Sequence, residues 1–347
     1  MKEAAPLGGL RVVEVGQYIA APYAGKLLAD LGADVVKVEP PGGDPMRRWQ
    51  GGGTESPQFR AYNRGKTTVT LDLKENLAGL FELTAGADVL IENFRPGVAD
   101  RLGFGWNVMK VREPRLVYCS ITGFGPSGPY AKKPAYDTII SAIGGMYGHL
   151  VSLEDPRPVG PAFSDLLSGM SAVQGILAAL HTGQGMRVEV SMLGAMSDFL
   201  TEPVGTYLET GTVVGPGTRA ARAQAFGCVG SDGLPFVVHL SVPEKFWQAL
   251  LGVLGIPEEP RFASRELRYR NHGELEEALR AEFAKRPRDE WFERLTAADI
   301  PHGPLNTVAD LVQDPQAMHL GLFNERGTRP GTRFSTHEGR LPRKDPL

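Results

Sequence analysis

The chain has 347 residues, 42% of them hydrophobic and 22% charged, with a formal net charge of −3. That composition fills a buried core, the length suits about two domains, and neither a basic stripe nor an acidic tail marks a nucleic-acid binder or a disordered polyanion. The two cysteines, Cys119 and Cys228, form neither a disulfide framework nor a metal spacing, so a reducing cytoplasm is the expected setting. Met1 to Gly16 lacks the basic start and apolar stretch of a signal peptide, and no unbroken run of about 18 apolar residues predicts a membrane span.

In chain order, Arg11–Val15 reads as a strand, Ala20–Leu31 as a helix and Asp34–Glu39 as a second strand. Further strands are predicted at Thr68–Leu73, Ala87–Asn93 and Leu116–Ile121. Apolar strands spaced by about 20–30 residues, with helical stretches between them, are the signature of βαβ units and a buried parallel sheet. Tyr136–Tyr147 and Leu166–His181 read as helices and Arg187–Met192 as a strand. From about Thr201 to Gly230 the sequence turns glycine-rich and loop-like, as a linker does. A smaller region follows, with one strand, Pro235–Leu240, and three helices, Pro243–Leu254, Gly273–Lys285 and Pro287–Ala298. The last segment is rich in Pro, Gly and Arg and has little periodicity.

A ligand of such a sheet sits outside the carboxyl ends of the strands. The segments there are Gly16–Gln17–Tyr18, Glu39–Pro40–Pro41, Asn93–Phe94–Arg95–Pro96–Gly97 and Thr122–Gly123–Phe124–Gly125. The first lacks the G-x-G-x-x-G fingerprint, and Glu39 alone is weak evidence for a ribose-binding acid, so a nicotinamide dehydrogenase is disfavoured. Gly51–Gly52–Gly53 reads as a surface loop rather than a phosphate cradle. Lys74, Arg95, Arg101, Lys132 and Lys133 stand at or just beyond strand ends. They are either solvated surface charge or a set of cations suited to a ligand with several phosphates. None of the seven histidines has metal-ligand spacing, and Ser164 and Ser168 lack a nucleophile-elbow context. Asp165 precedes the apolar helix. It is either an N-cap or a carboxylate kept ionised by the helix dipole, the form a nucleophile needs; nothing local decides between the two.

Longer motifs add to this. They are Ala29–Asp30–Leu31–Gly32–Ala33–Asp34–Val35–Val36–Lys37–Val38–Glu39, Asn63–Arg64–Gly65–Lys66 with Leu71–Asp72–Leu73–Lys74, and Ala87–Asp88–Val89–Leu90–Ile91–Glu92–Asn93–Phe94–Arg95–Pro96–Gly97. Gly123–Phe124–Gly125–Pro126–Ser127–Gly128–Pro129–Tyr130, Ile300–Pro301–His302–Gly303–Pro304 and Asp314–Pro315–Gln316 follow. In order and spacing, over nearly the whole chain, they resemble the class III CoA-transferases, the family that includes formyl-CoA transferase, carnitine CoA-transferase and α-methylacyl-CoA racemase.

The resemblance implies an α/β fold: a Rossmann-like large domain with a parallel sheet (1–200 and 300–347), a linker (201–219), a smaller α+β domain (220–299) and an interlocked homodimer. It implies Asp165 as nucleophile, with Gln17, Tyr18 and Ile19 lining the first turn near the thioester. It assigns Lys74, Asn93, Phe94, Arg95, Arg101 and Lys133 to coenzyme A. The CoA thioester is then a substrate, with no permanently bound cofactor, no metal and no nucleic-acid or membrane partner. The racemase branch, which exchanges the α-proton, carries a histidine before an aspartate where this chain has Tyr136–Asp137; tyrosine is a poor base near neutral pH, which favours transfer over racemisation. A CoA binder without activity is a third reading, against which Asp165 counts. Pro40 stands where relatives often have arginine. Gly215–Pro216–Gly217–Thr218 stands in place of the formyl-CoA transferase glycine tetrad, which counts against formyl or oxalyl specificity.

Overall fold

The computed structural model describes residues 5–49, 55–240, 243–324, 327–332 and 334. Gly51–Gly52–Gly53 lies outside the described residues. Two compact units emerge, one from the described residues of Met1–Gly148, Pro156–Leu208 and Gln316–Leu347, the other from His149–Asp155 and Glu209–Pro315.

The chain begins β1 (Arg11–Val15), α1 (Ala20–Asp30), β2 (Asp34–Glu39), α2 (Pro57–Asn63), β3 (Thr67–Thr70), α3 (Leu77–Thr84) and β4 (Val89–Glu92). It continues with α4 (Val98–Leu102), α5 (Trp106–Arg112), β5 (Val117–Thr122), α6 (Asp137–Ile143), α7 (Met146–Leu150), α8 (Phe163–Thr182), β6 (Arg187–Ser191), α9 (Met192–Phe199) and α10 (Thr201–Thr210). The six strands form one sheet in the order β3-β2-β1-β4-β5-β6, and every neighbouring pair is parallel. This is the doubly wound order, whose direction reverses between β1 and β4.

Alternation along the strands supplies both faces. Val12, Val89, Ile91, Val117, Cys119 and Ile121 enter one core, with α1, α6 and α8. Val13, Val15, Leu90, Leu116 and Tyr118 enter the other, beside α3, α4 and α5. Successive side chains of a strand point to opposite faces, and a strand covered on both faces reads as a continuous apolar run. Each such buried side chain contributes about 1.5–3 kcal/mol. By length and composition α8 could cross a membrane, but here it packs on α1 and buries Ala172, Val173 and Ile176 against the sheet.

Three sequence readings are corrected. Tyr136–Tyr147 is not one helix; Gly144–Gly145, with Gly145 at φ 85°, divides α6 from α7. The Thr201–Gly230 stretch is not a loop, since it contains α10, α11 (Thr218–Ala223) and β7 (Ala225–Val229). Pro203 sits in the first turn of α10, where a missing N–H costs nothing. The second unit holds three strands rather than one: β7, β8 (Pro235–His239) and, after α12 (Pro243–Leu254), α13 (Arg265–Arg270), α14 (His272–Phe283) and α15 (Arg288–Ala297), β9 (His302–Pro304). They form an antiparallel sheet in the order β7-β8-β9, packed on Trp247, Leu279, Phe283 and Trp291. The chain then runs through α16 (Val308–Gln313) and α17 (Pro315–His319) to a two-stranded ladder, β10 (Phe323–Asn324) and β11 (Gly327–Thr328).

Candidate active site

The turns after β1 and β4 meet at the switch point of the sheet. The Gln17 amide donates to Asn93 Oδ1 at 3.0 Å, and Asn93 Nδ2 donates to the Gln17 carbonyl at 2.9 Å, so one side chain ties the two turns together. Gly16 permits this approach, because a Cβ there would lie 2.4 Å from Ala21 Cβ and 3.1 Å from Asn93 Oδ1. Tyr18 follows in the left-handed region, at φ 63°, a conformation that non-glycine residues adopt only when their surroundings enforce it.

A cavity of about 720 Å³ opens over these turns, lined by Gln17, Tyr18, Ile19, Asn93, Phe94, Arg95, Lys133, Tyr136, Asp137 and Asp165. The structure thus brings together ten residues that sequence reasoning had named. Tyr18 and Tyr136 meet edge to face with ring centroids 6.3 Å apart, and the Lys133 ammonium lies 3.7 Å from the Tyr130 ring centroid. A second hollow of about 140 Å³ lies beside it, with Gln17 and Phe94 common to both. Its apolar walls are Val15, Val38, Leu71, Leu73 and Leu102, and Lys74 lines it as well. Arg101, exposed on α4, lines neither hollow.

Asp165 is not the N-cap of α8. Gly160, at φ 100°, and Pro161 precede the cap position, which falls on Ala162 with no side-chain bond, and Asp165 is the third helical residue. The capping function comes from Asp137, at the start of α6. Its Oδ1 accepts the Ser164 amide at 2.7 Å and the Ser164 hydroxyl at 2.9 Å. Among the described residues nothing donates a hydrogen bond to the Asp165 carboxylate. Burial, and then the negative charge of Asp137, push its pKa up to about 7, outweighing the favourable end of the helix dipole.

Further neighbours frame the site, and of these the sequence had singled out Glu39 alone. Tyr62, on α2, has its phenol pKa raised by burial and then by Asp165. Glu39 is held by Arg47 through two bonds, of 2.6 and 2.7 Å, and accepts the Asp44 amide at 2.8 Å. Those bonds occupy the acid at the end of β2, the position of a ribose-binding acid in the dinucleotide fold. Lys37 and Lys66 are buried beside Glu14 under the first turn. The motifs containing Glu39, Lys37 and Lys66 were visible in the sequence, but their burial depends on which strands pair. Among the described residues no cluster of three His, Cys, Asp or Glu side chains could hold a metal.

A cavity at a sheet switch point, walled by a helix-borne carboxyl and flanked by cations, suits acyl chemistry on a phosphate-bearing carrier. Comparison with known proteins agrees. The family model for CoA-transferase family III matches residues 7–346. An acetyl-CoA:oxalate CoA-transferase of Acetobacter aceti is 36% identical over 340 residues, 94% of this chain and 87% of its own length. A succinyl-CoA:glutarate CoA-transferase of Mus musculus is 33% identical over 341 residues, 92% of this chain and 76% of its own. The crystal structure of a CAIB/BAIF family protein from Brucella suis matches with a TM-score of 0.84 at 36% identity, covering 95% of this chain and 93% of that one. The chain belongs to CoA-transferase family III.

Proposed function

We propose that the protein moves coenzyme A between two carboxylic acids by covalent catalysis on Asp165. The observation that carries this reading is the Asp165 carboxyl, which accepts no hydrogen bond from the described residues and lines the cavity over the β1 and β4 turns. A carboxylate without donors keeps its charge available for attack on a carbonyl. Asp165 attacks the donor thioester carbonyl, the C–S bond breaks, and CoA leaves as thiolate from an aspartyl–acyl anhydride. The thiolate attacks the aspartyl carbonyl, releasing the donor acid and leaving an aspartyl–CoA thioester. The acceptor carboxylate attacks that thioester and expels the thiolate, which takes the acceptor acyl group from the new anhydride and frees the Asp165 carboxylate. Backbone amides near the site stabilise the oxyanions.

Lys74, Arg95 and Lys133 serve the nucleotide and phosphates, with the small apolar hollow as a base-binding surface. Two copies assemble. Support comes from the exposed apolar side chains on three helices that pack on one another: Ile139 and Ile143 on α6, Met170 on α8 and Phe199 on α9. Sedimentation should give twice the chain mass. The test of function is a mass-spectrometric screen of acyl-CoA donors against a panel of acids that includes oxalate, succinate and glutarate. Transfer should occur, hydroxylamine after acyl-CoA loading should tag Asp165, and Asp165→Ala should abolish both. Rapid α-deuterium uptake in heavy water without transfer would overturn the reading in favour of an isomerase.

A further inference from the structure

Two lysines and two carboxylates lie under the active-site turn, outside the cavity. Glu14 and Lys37 are register partners on adjacent parallel strands, so their side chains share one sheet face, and both are fully buried. Lys37 Nζ lies 3.0 Å from Glu14 Oε1 and 3.1 Å from Asp44 Oδ2. Lys66 Nζ, whose side chain is also buried, lies 2.6 Å from Glu14 Oε2. Gly25 leaves room for this carboxylate, since a Cβ there would sit 2.1 Å from Glu14 Oε2. The charges balance, two against two, which buried ions require.

Three of the four side chains also grip the backbone between residues 16 and 22. Lys37 Nζ donates to the Gly16 carbonyl at 2.7 Å and Lys66 Nζ to the Pro22 carbonyl at 2.7 Å. Asp44 Oδ1 accepts the Tyr18 amide at 3.4 Å and the Met46 amide at 2.9 Å. Between these anchors stand the left-handed Tyr18 and the cavity-lining Gln17 and Ile19.

We propose that Lys37, clamped by Glu14 and Asp44 and backed by Lys66, is a positioning residue that holds the turn at 16–19 in its strained shape and so presents Gln17 and Tyr18 to the reacting thioester. This rests on the reading of the cavity as the transfer site. A buried network with three discrete anchors can fix a turn more rigidly than its single-turn hydrogen bonds can.

Lys37→Met tests it by two readouts. Amide hydrogen exchange of the segment 16–22 should quicken by about tenfold or more, while the segment 117–122 is unchanged. The kcat for transfer should fall by about 10- to 100-fold with KM within about twofold, because a misplaced turn costs the transition state more than the bound carrier. Asp44→Asn, which keeps an oxygen for the Tyr18 and Met46 amides but removes the charge facing Lys37, should move both readouts the same way by less, and decides the matter if Lys37→Met does not fold. A folded variant with unchanged exchange at 16–22 overturns the proposal. Exchange needs no turnover, so a wild-type protein that transfers nothing sinks the functional reading and leaves this measurement decisive.

Discussion

Under the proposed function Asp165 meets two opposed demands, since its place in the cavity wall withdraws it from water and it must lose its proton to attack. With its pKa pushed up to about 7 by burial and Asp137, the free enzyme should gain kcat/KM as pH rises through about 7 and then level off. Asp137→Asn, which keeps an oxygen for Ser164, should move that limb to lower pH; a pH–rate profile of CoA release checks both. The same group has a stability consequence. The folded protein holds the Asp165 proton more tightly than the unfolded chain, whose aspartates titrate near 3.9. The advantage is therefore fully present below about pH 4 and is lost as pH rises through about 7. Asp165→Asn should thus match wild type in Tm at pH 4 and exceed it at pH 8. The sequence showed a carboxylate near a helix start but misplaced the cap. The apolar pattern begins only at Leu166, and the cap comes from Asp137, 27 residues away.

At the level of elements, α8 carries Asp165 and its place is set by close approach to α1. A Cβ on Gly169 would lie 2.9 Å from Tyr23 Cδ1 and 3.0 Å from the Ala20 carbonyl. Gly169→Ala should cost about 1–3 kcal/mol through overpacking, read from the urea midpoint, and should lower kcat as α8 shifts. The parallel strands were legible because β-branched runs buried on two faces leave a continuous signal, as in Val89–Leu90–Ile91. The strands β7 and β9 were not. Gly227 interrupts the first, and His302–Gly303–Pro304 is three residues long with two poor strand formers.

On the scale of the molecule, the strand order gathers loops distant in sequence along one edge, and the proposed function has Lys74 and Arg95 hold the carrier there, away from the reacting carbon. Lys74→Ala and Arg95→Ala should each raise KM for the acyl-CoA by about 3- to 10-fold and change kcat little, since those contacts hold ground and transition states alike. Steady-state kinetics at varied acyl-CoA decides this. The residues that line the site were recognisable from their motifs, whereas the ions beneath it were not, because pairing of Glu14 with Lys37 follows from strand register. That pairing constrains descent. A lone change at Glu14, Lys37, Asp44 or Lys66 strands an uncompensated charge in the interior, while a joint change of two opposite partners does not. Related chains should therefore have gained or lost these four as coordinated pairs, and the shape of the turn they hold is inherited through residues that never touch a substrate.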